Sequence, residues 1–225
     1  MSIFGFSTEP SNDGGDFTPI VKYDARAGRI FRVDRLDTGN GFENNPVDIT
    51  ANFKAIFDFE NVEVGWLNFT PGTAPDLKLV PIGKQLPDRP SPNHKNGIRV
   101  LLRLTKACGG DKPVREIAGT SKAFLSGVEA VYAEYLKEKA KYPGQLPVLV
   151  LEKTTPVSSG SGERKSTNYH PTFRIDGWAP RPADLIHIRA DAPKPASAGQ
   201  GTAPSTGSTA VPPPKAAPAD DNDFG

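Results

Sequence analysis

Apolar and polar residues alternate with the two-residue period of a β-strand through most of the chain between residues 20 and 178. Runs at 20–23 and 30–33 flank Arg26, Ala27 and Gly28, a hairpin signal. Over 49–59, Phe53, Ala55, Phe57 and Phe59 fall on one face. Over 62–69, Val62, Val64, Trp66 and Asn68 share a face, with Leu67 and Phe69 on the other. A short strand is predicted at 77–82. The run 98–104 is apolar enough to be central, with Arg99 and Arg103 opposite Ile98, Val100, Leu102 and Leu104. Strands at 148–151 and 172–178 complete the set, and proline-rich loops such as 87–97 separate them.

One segment changes period. From 113 to 142, Val114, Ile117, Ala118, Phe124, Leu125, Val128, Val131, Tyr132, Tyr135 and Leu136 follow helical spacing, with charged residues on the other side. Asp111 suits the cap, Pro113 the first turn, and Pro143 with Gly144 the stop. The prediction is a mainly β fold with one long helix: an OB-fold-like barrel with elaborated N-terminal strands and a disordered C-terminal tail. A β-sandwich with an inserted helix is the competing architecture.

The ends differ from the middle. Residues 191–219 are almost all Pro, Ala, Gly, Ser or Thr, a composition that buries too little apolar surface to offset its ordering entropy. The chain then closes on Asp220, Asp221, Asn222, Asp223, Phe224 and Gly225, an acidic aromatic tip on a flexible tether. The expected organisation is a flexible arm at 1–17, a folded domain at 18–190, a linker at 191–219 and a docking tip at 220–225. The stretch from Asp191 onwards carries four aspartates against Lys194 and Lys215, and the first sixteen residues carry three carboxylates and no base. With a net charge of +1 overall, the middle is left with +6, which suits a polyanionic ligand. A single cysteine, Cys108, excludes an internal disulfide framework. No apolar run reaches 18 residues and the N-terminus does not read as a signal peptide, so a cytoplasmic protein without a membrane partner is expected.

Catalytic patterns are scarce, and no catalytic residue, cofactor or metal is expected. His94, His170 and His187 are far apart and match no metal-ligand spacing. The stretch 160–167 (GSGERKST) superficially resembles a phosphate loop. With Lys165 as the motif lysine, however, glycines would have to stand at Ser159 and Arg164, and a strand follows rather than a helix. The same loop suits a nucleic-acid contact: flexible glycines and serines, Arg164 and Lys165 for phosphates, and Tyr169 at the strand mouth. Binding a single strand needs cations along its backbone and aromatic faces for its bases. Arg32, Arg35, Lys54, Arg99, Arg103 and Arg174 lie on predicted strands with aromatics interleaved. Trp66 and Tyr169 adjoin polar or basic residues and are the first choices as stacking rings.

Taken together, a β-rich body, a Pro/Ala/Gly/Ser/Thr linker and the tip Asp220, Asp221, Asp223 and Phe224 make the chain resemble the single-stranded DNA-binding proteins of bacteriophages, and more distantly those of bacteria. The resemblance implies a body that coats single-stranded DNA without catalysis during phage replication and recombination. It also implies a tip that docks onto phage or host replication and recombination proteins and occupies the protein's own DNA groove when DNA is absent. Gly225 follows the aromatic, whereas bacterial tips usually end in Pro-Phe. A homodimer is compatible with such coating, and nothing in the sequence demands one. Two other readings stay open: a phage structural or assembly protein with a docking tail, and an enzyme whose site gathers residues such as His170, Asp176 and Asp184.

Overall fold

The structure, a computed structural model, describes residues 18–39, 41–71, 73–161 and 165–187. The arm at 1–17, the linker at 191–219, the tip at 220–225 and Arg164 therefore lie outside the described residues.

The fold is mainly β with one long helix. In chain order the strands are β1 (Ile20–Asp24), β2 (Arg29–Asp37), β3 (Phe42–Asp48), β4 (Lys54–Phe57), β5 (Glu63–Asn68), β6 (Asp76–Pro81), β7 (Lys95–Leu104), β8 (Val114–Gly119), β9 (Gln145–Ser159) and β10 (Ser166–Pro180). A four-residue helix, α1 (Lys106–Gly109), joins β7 to β8, and the long helix, α2 (Lys122–Glu138), joins β8 to β9. All the strands belong to one sheet, in the order β10-β9-β4-β7-β8-β1-β2-β3, with β5 paired to both β6 and β7.

β7 organises this sheet. Its first half pairs with β5, from Glu63 opposite Arg99 to Leu67 opposite Lys95. Its second half pairs with β4, from Phe57 opposite Leu102 to Ala55 opposite Leu104, and its other edge pairs with β8. β1 then joins β8 in parallel, Ile20 opposite Glu116.

The sheet does not close into a barrel: β3 and β10 end its main path, and β6, paired only with β5, is a third edge. The β1–β2 turn nevertheless reaches β10. The Tyr169 amide donates to the Ala25 carbonyl at 2.6 Å, and the Tyr23 hydroxyl donates to the Tyr169 carbonyl at 2.7 Å. Burial, and secondarily Asp24, pushes the Tyr23 hydroxyl up to about 12, so it remains a donor at neutral pH.

The helix expected over 113–142 is two elements. Residues 114–119 form β8, in which Arg115 and Ile117 are buried while Val114, Glu116 and Ala118 are less so. Apolar residues at 114, 117 and 118 fit either period; the open edge of β7 and the parallel partner β1 decide for a strand. Ser121, not Asp111, caps the helix, its hydroxyl accepting from the Phe124 amide at 3.2 Å. Of the strand expected over 49–59, only Lys54–Phe57 pairs; a 3-10 turn occupies Thr50–Asn52.

Alternation in the central strands buries both faces. Phe53, Ala55, Phe57, Phe59, Leu102, Leu104, Leu149 and Phe173 form the main core, into which α2 presses Phe124, Val128, Val131 and Tyr135. Aromatic rings carry much of it, with Phe57 and Phe59 centroids 5.5 Å apart and Phe59 and Tyr135 5.4 Å apart. Gly127 allows α2 to sit directly on β10, since a Cβ there would stand 2.5 Å from the Pro171 carbonyl. The intervening residues Ile56, Leu146 and Val148 point to the opposite face and pack with Leu185 in a second cluster.

Gly28 is the key residue of the β1–β2 turn. Its φ is +66°, and a Cβ would come 2.8 Å from Tyr169 Cγ and 3.2 Å from Thr154 Oγ1. Gly28→Ala should cost about 1–2 kcal/mol from backbone conformation alone, with the clash in addition. Denaturant unfolding checks this; a midpoint equal to wild type would mean that the turn does not seat on β10.

Candidate nucleic-acid interface

The two arginines of β7 point to the sheet's second face. There, residues 181–187 cross the strands like a strap. Leu185 is 1% exposed in the cluster with Ile56, Leu146 and Val148. Asp184 accepts Arg103 Nε at 3.0 Å on both carboxylate oxygens. Arg181 forks onto the fully buried Asp58, at 2.6 and 2.9 Å, and reaches Glu60 at 2.8 Å. The Asp58 hydrogen bonds, foremost, hold the Arg181 guanidinium above its ordinary range.

Arg99 donates to Glu63 at 2.7 Å and lies 3.9 Å from Glu116, while His187 approaches Glu63 at 3.7 Å. These groups surround a cavity of about 80 Å³ that Thr18 and Ile186 also line. Burial raises the Glu116 carboxyl, with Arg99 opposing and Glu63 assisting.

On β2, Arg32 donates to Asp34 and to the Cys108 carbonyl, both at 3.0 Å. Asp34 also receives the buried Arg115 at 2.7 Å, and Arg115 bonds the Val33 carbonyl at 2.9 Å. Burial lowers the Arg115 guanidinium, and Asp34 counteracts this. The next arginine, Arg35, lies 3.9 Å over the Phe42 ring at the start of β3. Phe42 is 61% exposed.

β9 and β10 run as a long antiparallel ribbon, and its exposed end carries Lys165, with no ion-pair partner among the described residues. Tyr169 sits where this ribbon meets Gly28, so one side of its ring is taken by the turn. Further along, Lys54 and Arg174 share Asp176, at 3.7 and 2.8 Å. Trp66 is also engaged: its indole donates to the Pro87 carbonyl at 2.8 Å and Arg89 lies 5.5 Å over the ring. Arg89 is held in turn by the His94 carbonyl.

The expected site residues therefore divide. Lys54 and Arg174 come together across β9, whereas Arg99 and Arg103 lie under the strap, Arg32 and Arg35 on β2, and Trp66 beside the 82–94 loop. Most of the cations meet carboxylates, a pairing that sequence reasoning missed because partners such as Asp184 and Arg103 are 81 residues apart.

Three further features went unread. Tyr142 stacks on Trp178 with centroids 4.6 Å apart, and Trp178 stacks on Tyr135 at 5.8 Å. Beside them an open groove of about 420 Å³ separates α2 from β10. The third feature is buried His94, which links Ser91 at Nδ1 (2.8 Å) to Asp76 at Nε2 (3.1 Å). It ties the 82–94 loop to β6, and neither the groove nor the Glu63 cavity includes it. Tyr142, next to Pro143 and Gly144, reads in sequence only as a helix end.

No family model, curated protein or solved structure matches this chain. The site has to be judged on its own chemistry. Among the described residues no group of three His, Cys, Asp or Glu is placed to hold a metal ion, and Cys108 is buried. No helix among them is long and apolar enough to cross a membrane. His170, Asp176 and Asp184 are engaged with different partners: Ser126, the Lys54–Arg174 pair, and Arg103.

The strap's anchoring is directly testable. Leu185→Ala removes a fully buried side chain and should cost about 2–5 kcal/mol in urea unfolding. A loss below about 0.5 kcal/mol would mean that the strap is a surface segment rather than part of the core.

Proposed function

We propose that the protein binds and protects single-stranded DNA with little sequence preference during phage replication and recombination, in the cytoplasm of a bacterial host. On this reading residues 220–225 dock its partner enzymes, with Asp220, Asp221 and Asp223 supplying charge and Phe224 the anchor.

The observation that carries the reading is the order of the elements. With β4 and β5 taken as one interrupted strand, the chain runs β4/β5, β7, β8, α2, β9, β10, and β4 stands between β7 and β9. This order supports reading the body as an OB-fold with its helix between the third and fourth strands, a fold used for oligonucleotides. The β1–β2–β3 unit, which precedes β4 in the chain, is then an N-terminal addition, standing beside β8 where a simple barrel would bring its third and fifth strands together. On that reading the β9–β10 ribbon corresponds to the connection between the last two strands, where an OB-fold binds oligonucleotides. Binding would use phosphate neutralisation together with base stacking.

Fluorescence anisotropy with labelled oligo-dT and the matching duplex, across a salt series, tests the reading. The expected result is binding to the single strand alone, with log affinity falling by about 0.7 per phosphate neutralised for each unit of log salt. Absence of binding at low salt would overturn it and favour a structural role.

Deleting residues 220–225 should leave single-strand affinity unchanged or raised, because an acidic tip competes with phosphate for the same cations. Weaker binding on deletion would refute the competing-tail part of the proposal.

A further inference from the structure

Resting on that reading, we propose that the single strand runs along the groove between α2 and β10 and stacks a base on Tyr142, rather than crossing the outer face of β7. The outer face is occupied: Leu185 is 1% exposed upon it and Asp184 holds both oxygens on Arg103. A nucleotide strand there would have to strip a buried leucine from the sheet before meeting a cation.

The α2–β10 groove is open, with a volume of about 420 Å³. Ile175 contributes the apolar side chain of its lining, and Lys137, Lys141 and Arg174 rim it together with Glu134 and Glu138. The lining itself holds three cations and two carboxylates. Lys141 pairs with Glu138 at 3.8 Å, and Arg174 with Asp176 at 2.8 Å, which Lys54 also approaches at 3.7 Å; Lys141 and Arg174 are solvent-exposed. Exposed pairs of this kind contribute little and exchange readily for a phosphate.

Next in the chain after the lining residue Lys141 comes Tyr142, the outermost member of a ladder of rings. Tyr135 is 3% exposed, Trp178 stacks on it, and Tyr142, directly after Lys141, stacks on Trp178 at an interplanar angle of 13°. One face of Tyr142 is thus covered while 37% of the residue remains exposed. A column of rings that starts in the core and finishes at solvent beside lysines offers what a nucleobase needs: a rigid π-face with cations for the adjoining phosphates.

The chain has two tryptophans, so Trp66→Phe leaves Trp178 as the only one. In full-length protein carrying this change, oligo-dT should quench Trp178 emission with the same midpoint as the anisotropy titration. Tyr142→Ala and the double variant Lys137→Glu, Lys141→Glu should each bind oligo-dT about 5- to 150-fold more weakly, while Tyr142→Phe, which keeps the ring, binds as wild type. If wild type binds but Trp178 stays silent and these variants bind normally, the path lies elsewhere and this proposal fails alone. If wild type binds no single strand, the functional reading itself fails.

Discussion

The central strands have to be covered on both faces, and much of the rest of the structure follows from that. Residues 53–59 place Phe53, Ala55, Phe57 and Phe59 on one side and Ile56 on the other, and 146–149 repeat the pattern with Leu149 opposed to Leu146 and Val148. A half-buried sheet could leave one side to water; this one cannot. Helix α2 covers the first face, brought close by the absence of a side chain at Gly127. The strap covers the second, with Leu185 as its apolar contact and Arg181 and Asp184 as its charged anchors.

This cover redistributes the charge. Asp58 is fully buried and takes the Arg181 fork, and Arg115, 2% exposed, is held by Asp34 and backbone carbonyls. Buried ions in a protein need such partners because desolvation otherwise costs several kcal/mol each. A basic residue on a strand is therefore weak grounds for a phosphate contact unless its surroundings are known. Exposed cations such as Lys141 and Arg174 pair only across the surface, without such buried partners.

How much of this was legible in the sequence depends on the range of the interaction. The β1–β2 hairpin, the aromatic face of 53–59 and the position of Arg99 and Arg103 opposite the core all follow from a period of two. β8 did not, because six residues with apolar groups at 114, 117 and 118 satisfy both periods, and only its neighbours β7 and β1 separate them. β3, with the sequence FENNPVD, has almost no apolar alternation and is mostly exposed. It exists as a ladder along β2, so no local signal marks it. The strap and the Tyr142–Trp178 stack join residues far apart in the chain and were equally invisible.

The two ends of the sheet constrain how the molecule associates. Edge strands expose unpaired backbone groups and invite pairing with another chain. Here β3 carries Pro46, and β10 carries Pro171 and Pro180, each removing an amide donor. The edge of β10 is further occupied by the β1–β2 turn, which takes the Tyr169 amide. Extension of the sheet from one molecule to the next is thus opposed at β3 and β10, whereas β6, paired only with β5, keeps a free edge that ends at Pro81.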